Sequence, residues 1–511
     1  MEKKNIVAAG DIKTAEAVKE VLLKGGNAFD GAIAGVFAAY MAEPVLTSPA
    51  GGGFLMAFNP YTDEEPLLYD FFVETPPLRL KDPEFFAVEV DFGDATQIFH
   101  IGAGSVAIPG TVAGLLRVHS ERGRLPLKEV LKPALRYAKE GIYLSPLQAG
   151  FIKLLEPIFT ATEEARKIFA PEGDLINEKK LFKNPDYALF LEKIADQGSW
   201  VFYEGEIADA THHLMVQHRG LLRKEDLARY RVVERKPIKI SFEGYEIYLN
   251  PPPSAGGILI AFTLKLLEGQ DIDPWGSEVY IKNLIEAFYT TNLFRKDYID
   301  GKLHSEGLEK ILQEEKIIQT FKEIFKKRLN LWGNTTHLSI SDAEGNVVSV
   351  TTTNGEGSGY VIPGYGVMLN NMLGEEDLNP RGFFKWDKPY QRLPSMMCPT
   401  VVLKDGEVIA ALGSAGSNRI RSAIVQVLLN LLHFHFHPQE AVDKPRLHVE
   451  GNTVYLEPPL GEKFKSLIEG LYKVQPFKEK SMFFGGVQVV APPQGEGGAD
   501  PRRGGVVLVF P

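Results

Sequence analysis

Two threonine-bearing runs flank a short turn: Thr335-Thr336-His337-Leu338-Ser339-Ile340-Ser341 before it and Val347-Val348-Ser349-Val350-Thr351-Thr352-Thr353 after it. Leu338 and Ile340 alternate with polar residues, residues 342–346 carry turn chemistry, and a β-branched run follows, so the pattern predicts a β-hairpin. Glu344 is the middle of that turn, and antiparallel pairing about it sets Thr353 opposite Thr335, where two hydroxyls can meet. A threonine hydroxyl becomes a useful nucleophile when the residue starts a chain, because its own α-amine then accepts the proton. That amine titrates near about 7.7 to 8.0, which suits a base working near neutrality. Thr335 is internal, so this chemistry requires the bond between Asn334 and Thr335 to be cut. The alternative reading is a polar-faced hairpin whose threonines reflect only strand propensity.

A second chemical feature is Gly413-Ser414-Ala415-Gly416-Ser417, just before a run in which Ile420, Ile424, Val427, Leu428 and Leu431 recur at helical spacing. A glycine-rich turn at a helix start offers unpaired N–H groups to an anion. In acyl transfer such donors hold the tetrahedral oxyanion, each worth about 2.7 to 4 kcal/mol. Pro49-Ala50-Gly51-Gly52-Gly53 is better read as a tight turn entering a strand than as a phosphate loop, since no Lys-Ser/Thr pair follows. His433, His435 and His437 alternate, but with no cysteine cluster and at the end of a helix they read as cations favoured there, and no metal or other cofactor is expected. Cys398 reads as a buried hydrophobe.

These residues resemble the small-subunit opening of the γ-glutamyltransferases, which are N-terminal-nucleophile hydrolases. The resemblance is carried by Thr335-Thr336-His337-Leu338-Ser339, residues 342–346, Thr351-Thr352-Thr353, Gly357-Ser358-Gly359 and Gly366-Val367-Met368-Leu369-Asn370-Asn371. It extends over nearly the whole chain through Lys24-Gly25-Gly26-Asn27-Ala28-Phe29-Asp30, Ser105-Val106-Ala107-Ile108-Pro109-Gly110, Phe202-Tyr203-Glu204-Gly205 and Pro251-Pro252-Pro253-Ser254-Ala255-Gly256-Gly257. It implies an α+β fold, a four-layer αββα sandwich, made as a precursor that separates into a large subunit, residues 1–334, and a small subunit, residues 335–511. The two would form one interwoven domain. It further implies Thr335 as nucleophile with Thr353 bonded to it, the amides of Gly416 and Ser417 as oxyanion donors, and Asn354, Glu375 and Ser395 as substrate contacts. The implied partner is a small amide or peptide of the glutathione type.

The departures from the pattern are as informative. The family's substrate-carboxylate arginine follows an Asp-Phe pair, yet this chain reads Asp70-Phe71-Phe72-Val73, so Arg79 or another distant cation would have to replace it. Met372 follows the two asparagines where a polar residue is usual, Ser395 precedes Met396 rather than a second serine, and Ser417 replaces a glycine. The connection over residues 372–394 is short for a lid, suggesting an open cleft. The chemistry is retained while acyl recognition is altered, which keeps a related amidohydrolase or acylase as the alternative; an uncleaved scaffold that binds without turnover is a third reading.

The elements that must position these residues are ordinary globular material: 511 residues, 44% hydrophobic and 24% charged, suffice for a large core. A net charge of -10 without a Lys/Arg block argues against nucleic-acid binding. A helix is expected over residues 14–23, ended by Gly25-Gly26, a second over 28–41, and a strand over 67–72. Residues 305–331 read as a charge-dense, exposed helical tail ahead of the proposed cut. Residues 1–5 lead straight into helical pattern, and the apolar run over 32–42 is too short to span a bilayer, so no membrane association and a cytoplasmic location are expected. A single cysteine excludes internal disulfides.

Overall fold

The hairpin lies at the centre of the larger of the two main sheets, both antiparallel. A computed structural model describes residues 3–91, 96–314, 317 and 335–511. In the seven-stranded sheet the order is Val506–Phe510, Asn5–Ala9, Thr336–Ser341, Val347–Thr353, Gly52–Phe58, Leu67–Phe71 and Val233–Arg235. In the six-stranded sheet it is Glu496–Ala499, Gly486–Ala491, Glu407–Ala415, Thr400–Lys404, Tyr245–Leu249 and Ile238–Phe242. Both sheets thus combine strands from before residue 334 with strands from after it.

The period of two in each strand separates the layers. Val7, Leu338, Ile340, Val348, Val350 and Leu55 pack in one core with the helices Ile12–Leu23 and Ala28–Ala42. Ile6, Phe54, Met56 and Val347 face the other way, into a core shared with the second sheet and with the helices Ala255–Leu267, Glu278–Phe294 and Ile420–Leu432. The result is an αββα sandwich, as expected for an N-terminal-nucleophile hydrolase.

Local chemistry sets the boundaries. Asp11 accepts from the Lys13 amide at 2.8 Å, so the first helix begins at Ile12, earlier than the apolar spacing alone suggests. Asn27 and Asp30 form a reciprocal capping box on the second. The hairpin turn is fixed by Asp342, which accepts the Glu344 and Asn346 amides at 3.0 Å each and, through its other oxygen, the Ala28 amide at 2.8 Å. Of the tail expected over residues 305–331, Leu308–Gln313 is a 3-10 turn; residues 315, 316 and 318–331 lie outside the described residues. Among the described residues no helix is long and apolar enough to cross a membrane.

Candidate active site

The strand register runs from Val347 opposite Ser341 to Thr352 opposite Thr336, and one further step places Thr353 across from Thr335. Both threonines share the face of His337, Ser339, Ser349 and Thr351, which looks toward the second sheet. That face is polar yet satisfied: His337 bonds Thr351 at 2.7 Å and Ser339 at 2.9 Å, and the Ser349 hydroxyl donates to the Leu412 carbonyl at 2.8 Å. Burial pushes the His337 pKa down to about 3, so the ring is neutral and serves as one donor and one acceptor. On the opposite face Thr336 donates to Glu43 at 2.6 Å.

The glycines before Phe54 let the neighbouring backbone close on the end of this hairpin. A Cβ on Gly51 would stand 2.1 Å from the Thr353 carbonyl oxygen, and one on Gly53 2.4 Å from that of Thr351. The loop is therefore a close backbone approach into a strand, paired with Val347–Thr353.

Thr335 and Thr353 line one pocket with Phe72, Arg295, Asp300, Glu375, Asp377, Ser395, Met396, Ser417 and Asn418. Three distant segments are stapled there. Asn370 binds the Ala50 and Ala107 carbonyls at 2.9 and 3.0 Å, and Asn371 accepts the Glu356 amide at 2.9 Å, fixing the chain that leads to Glu375. Ser254 donates to the carbonyls of Ser395 and Met397 at 3.1 and 2.9 Å, and a Cβ on Gly256 would sit 2.1 Å from the Met396 carbonyl oxygen, so the Pro251–Gly257 motif holds the segment carrying Ser395. Gly416, at φ 119°, and Ser417, at φ 52°, make the turn that opens the Ile420–Leu432 helix.

Glu375 is half-buried, and its Oε1 has no hydrogen-bond partner. Burial, reinforced by Glu356 and Asp377, raises its pKa well above the carboxylate range, so a cationic substrate group would relieve it. Asn354 is buried and absent from this pocket's lining; its carbonyl instead accepts the Gly357 amide at 3.3 Å. Asn334 lies outside the described residues. Phe72 does line the pocket, its ring stacked on Phe54. Arg79 does not, lying over the Trp386 ring at 3.7 Å.

Sequence reasoning missed Arg295 and Asp377. Arg295 donates to Asp300 at 3.1 Å and to the Asn418 side-chain oxygen at 3.2 Å, and is the cation among the described residues of the pocket. The acidic run at residues 375–377 signalled an acid here but not which one. The pocket encloses about 50 Å³ and opens, past Gly301, Leu303, Leu378, Pro380 and Pro394, into a groove of about 770 Å³. Cys398 is a buried thiol pushed up to about 11, consistent with packing rather than nucleophilic duty. His433 pairs with Glu243 and His437 with Glu496, and no group of metal ligands occurs among the described residues.

A family model described as Gamma-glutamyltranspeptidase matches residues 14–510. A glutathione hydrolase proenzyme of Pseudomonas aeruginosa is 32% identical over 98% of this chain and 94% of its own length. An acylase ACY 1 proenzyme of a Pseudomonas species is 31% identical over 87% of the chain and 82% of its own length. A solved cephalosporin acylase from Bacillus halodurans superposes with a TM-score of 0.87 at 26% identity, covering 99% of this chain and 96% of that one.

Proposed function

Since the chain belongs to the γ-glutamyltranspeptidase family, we propose that it cleaves itself before Thr335 and then hydrolyses or transfers the γ-glutamyl group of glutathione-type amides. The observation that carries the reading is the meeting of Thr335, Thr353, Glu375, Ser395 and the Ser417 turn around one pocket.

In the processing step the Thr335 hydroxyl attacks the carbonyl of residue 334. The C–N bond breaks as the amine takes a proton, and water hydrolyses the resulting ester, leaving Thr335 with a free α-amine. In turnover that amine accepts the hydroxyl proton as the oxygen attacks the substrate amide. Thr353, across the hairpin, orients the nucleophile, and the turn amides of Gly416 and Ser417 receive the oxyanion. The proton passes to the leaving amine, and water or a second amine takes the acyl group from Thr335. The narrow pocket suits the acyl portion, and the adjoining groove suits the leaving group.

A related acylase activity is the second reading. Phe72 lines the pocket where the family's carboxylate-gripping arginine is expected, Met396 lines it in place of a second serine, and the cephalosporin acylase superposes over nearly the entire chain. Comparing glutathione and γ-glutamyl anilides with the des-amino glutaryl anilides tests the assignment. Preferential release from the γ-glutamyl donors supports γ-glutamyl transfer, whereas preference for glutaryl donors selects the acylase reading.

A further inference from the structure

A serine in the left-handed region is strained unless something holds it there. Ser417 sits at φ 52°, between Gly416 and the helix start, and lines the nucleophile pocket. What holds it is visible. The Ser417 hydroxyl donates to Asp377 Oδ2 at 2.7 Å, and the Asn418 side-chain amide donates to Asp377 Oδ1 at 3.2 Å. Asn418 is itself oriented, because its side-chain oxygen accepts from Arg295 Nη1 at 3.2 Å, and Arg295 is anchored by Asp300. One carboxylate thus holds two successive side chains of the turn, from a segment forty residues away.

We propose that Asp377 is a positioning residue of this site: by clamping Ser417 and Asn418 it holds the turn amides in the geometry that receives the oxyanion. The inference rests on the acyl-transfer reading above. It explains how this chain accommodates a serine at a position whose conformation favours glycine. The clamp replaces the conformational freedom that glycine would supply. It also assigns Arg295 a role, since a flipped Asn418 amide would turn its NH₂ toward the guanidinium and its oxygen toward the carboxylate.

The test is a pair of backgrounds. In D377A, we expect self-cleavage and amide turnover to slow at least tenfold, with kcat carrying the loss and KM changing less than threefold. In the S417G background the same D377A change should cost less than a third as much, because glycine occupies the left-handed region unaided. The readouts are the half-time of the intact chain by denaturing mass and steady-state hydrolysis of γ-glutamyl p-nitroanilide or glutaryl p-nitroanilide, whichever the wild type turns over. Melting temperature is followed alongside: a merely structural role would lower it equally in both backgrounds without altering kcat of the folded enzyme. Should D377A fail to fold, D377L serves, since leucine fills a similar space but offers no acceptor to the Ser417 hydroxyl or the Asn418 amide. An undiminished wild-type rate in these variants, or an equal cost in both backgrounds, overturns the inference while leaving the acyl-transfer reading intact. A wild type that neither cleaves nor turns over amides overturns both.

Discussion

The Glu43 carboxylate accepts the Thr336 hydroxyl at 2.6 Å, one residue from the proposed nucleophile, on the face of the hairpin opposite the pocket. Its other oxygen accepts Thr14 at 2.8 Å. Complete burial, with Asp11 adding to it, raises the Glu43 pKa to about 7. The folded state therefore holds a proton that the unfolded state, with a glutamate near about 4.3, releases earlier. The stability this contributes is present below that lower value and is lost as pH rises through 7. Thermal unfolding of wild type should weaken between pH 5 and 8 by on the order of 2–3 kcal/mol more than that of Glu43→Gln. Parallel pH dependences would contradict it.

Gly51→Ala should disable the site by steric means. The added methyl meets the Thr353 carbonyl at 2.1 Å and the Ser48 carbonyl at 3.1 Å, both backbone atoms that cannot move aside cheaply. A loss of about 3 kcal/mol in chemical denaturation, together with slowed self-cleavage, is expected. An alanine variant with unchanged midpoint would mean that the strand ends are looser than this packing implies.

Glu375 should select donors that carry an ammonium group. Glu375→Gln removes the charge while keeping the shape, so the ratio of kcat/KM for γ-glutamyl over glutaryl anilides should drop by about 10- to 100-fold. In the wild type, the ratio of kcat/KM for γ-glutamyl over glutaryl donors should rise with pH as Glu375 ionises above its ordinary range, and this dependence of the ratio should be lost in the variant, whereas the rise due to the Thr335 α-amine, common to both donors, should remain. A ratio indifferent to the substitution would remove Glu375 from substrate recognition.

Thr353→Val keeps the β-branched shape opposite Thr335 but deletes the hydroxyl, which also accepts the Gly355 amide at 3.0 Å. Self-cleavage and turnover should both slow by about 10- to 100-fold with the fold retained by circular dichroism. Wild-type rates would show that the residue facing Thr335 does not orient it.

The hairpin and its register were legible in the sequence because both depend on local pattern: alternation identifies the strands, and symmetry about Glu344 pairs Thr335 with Thr353. Glu375 and Ser395 reach the pocket through family motifs whose asparagines and glycines make the staples seen here. Asn354 illustrates the limit: one position along a tight turn decides whether a residue lines the pocket, and Asn354 is buried without lining it. Glu43, Arg295 and Asp377 were not legible, since their partners are separated from them by 293, 123 and 40 positions. A signal did exist for Asp377, namely a serine at a position where glycine is usual, which poses the question of what holds it.

The central claim is that Thr335 is both the cleavage point and the nucleophile, and denaturing intact mass of freshly purified wild type beside Thr335→Ala tests it most directly. The account predicts two wild-type fragments that meet between Asn334 and Thr335, and a single full-length chain from the variant. A wild type that remains whole through prolonged incubation, or a Thr335→Ala chain that is cut at the same bond, would contradict it.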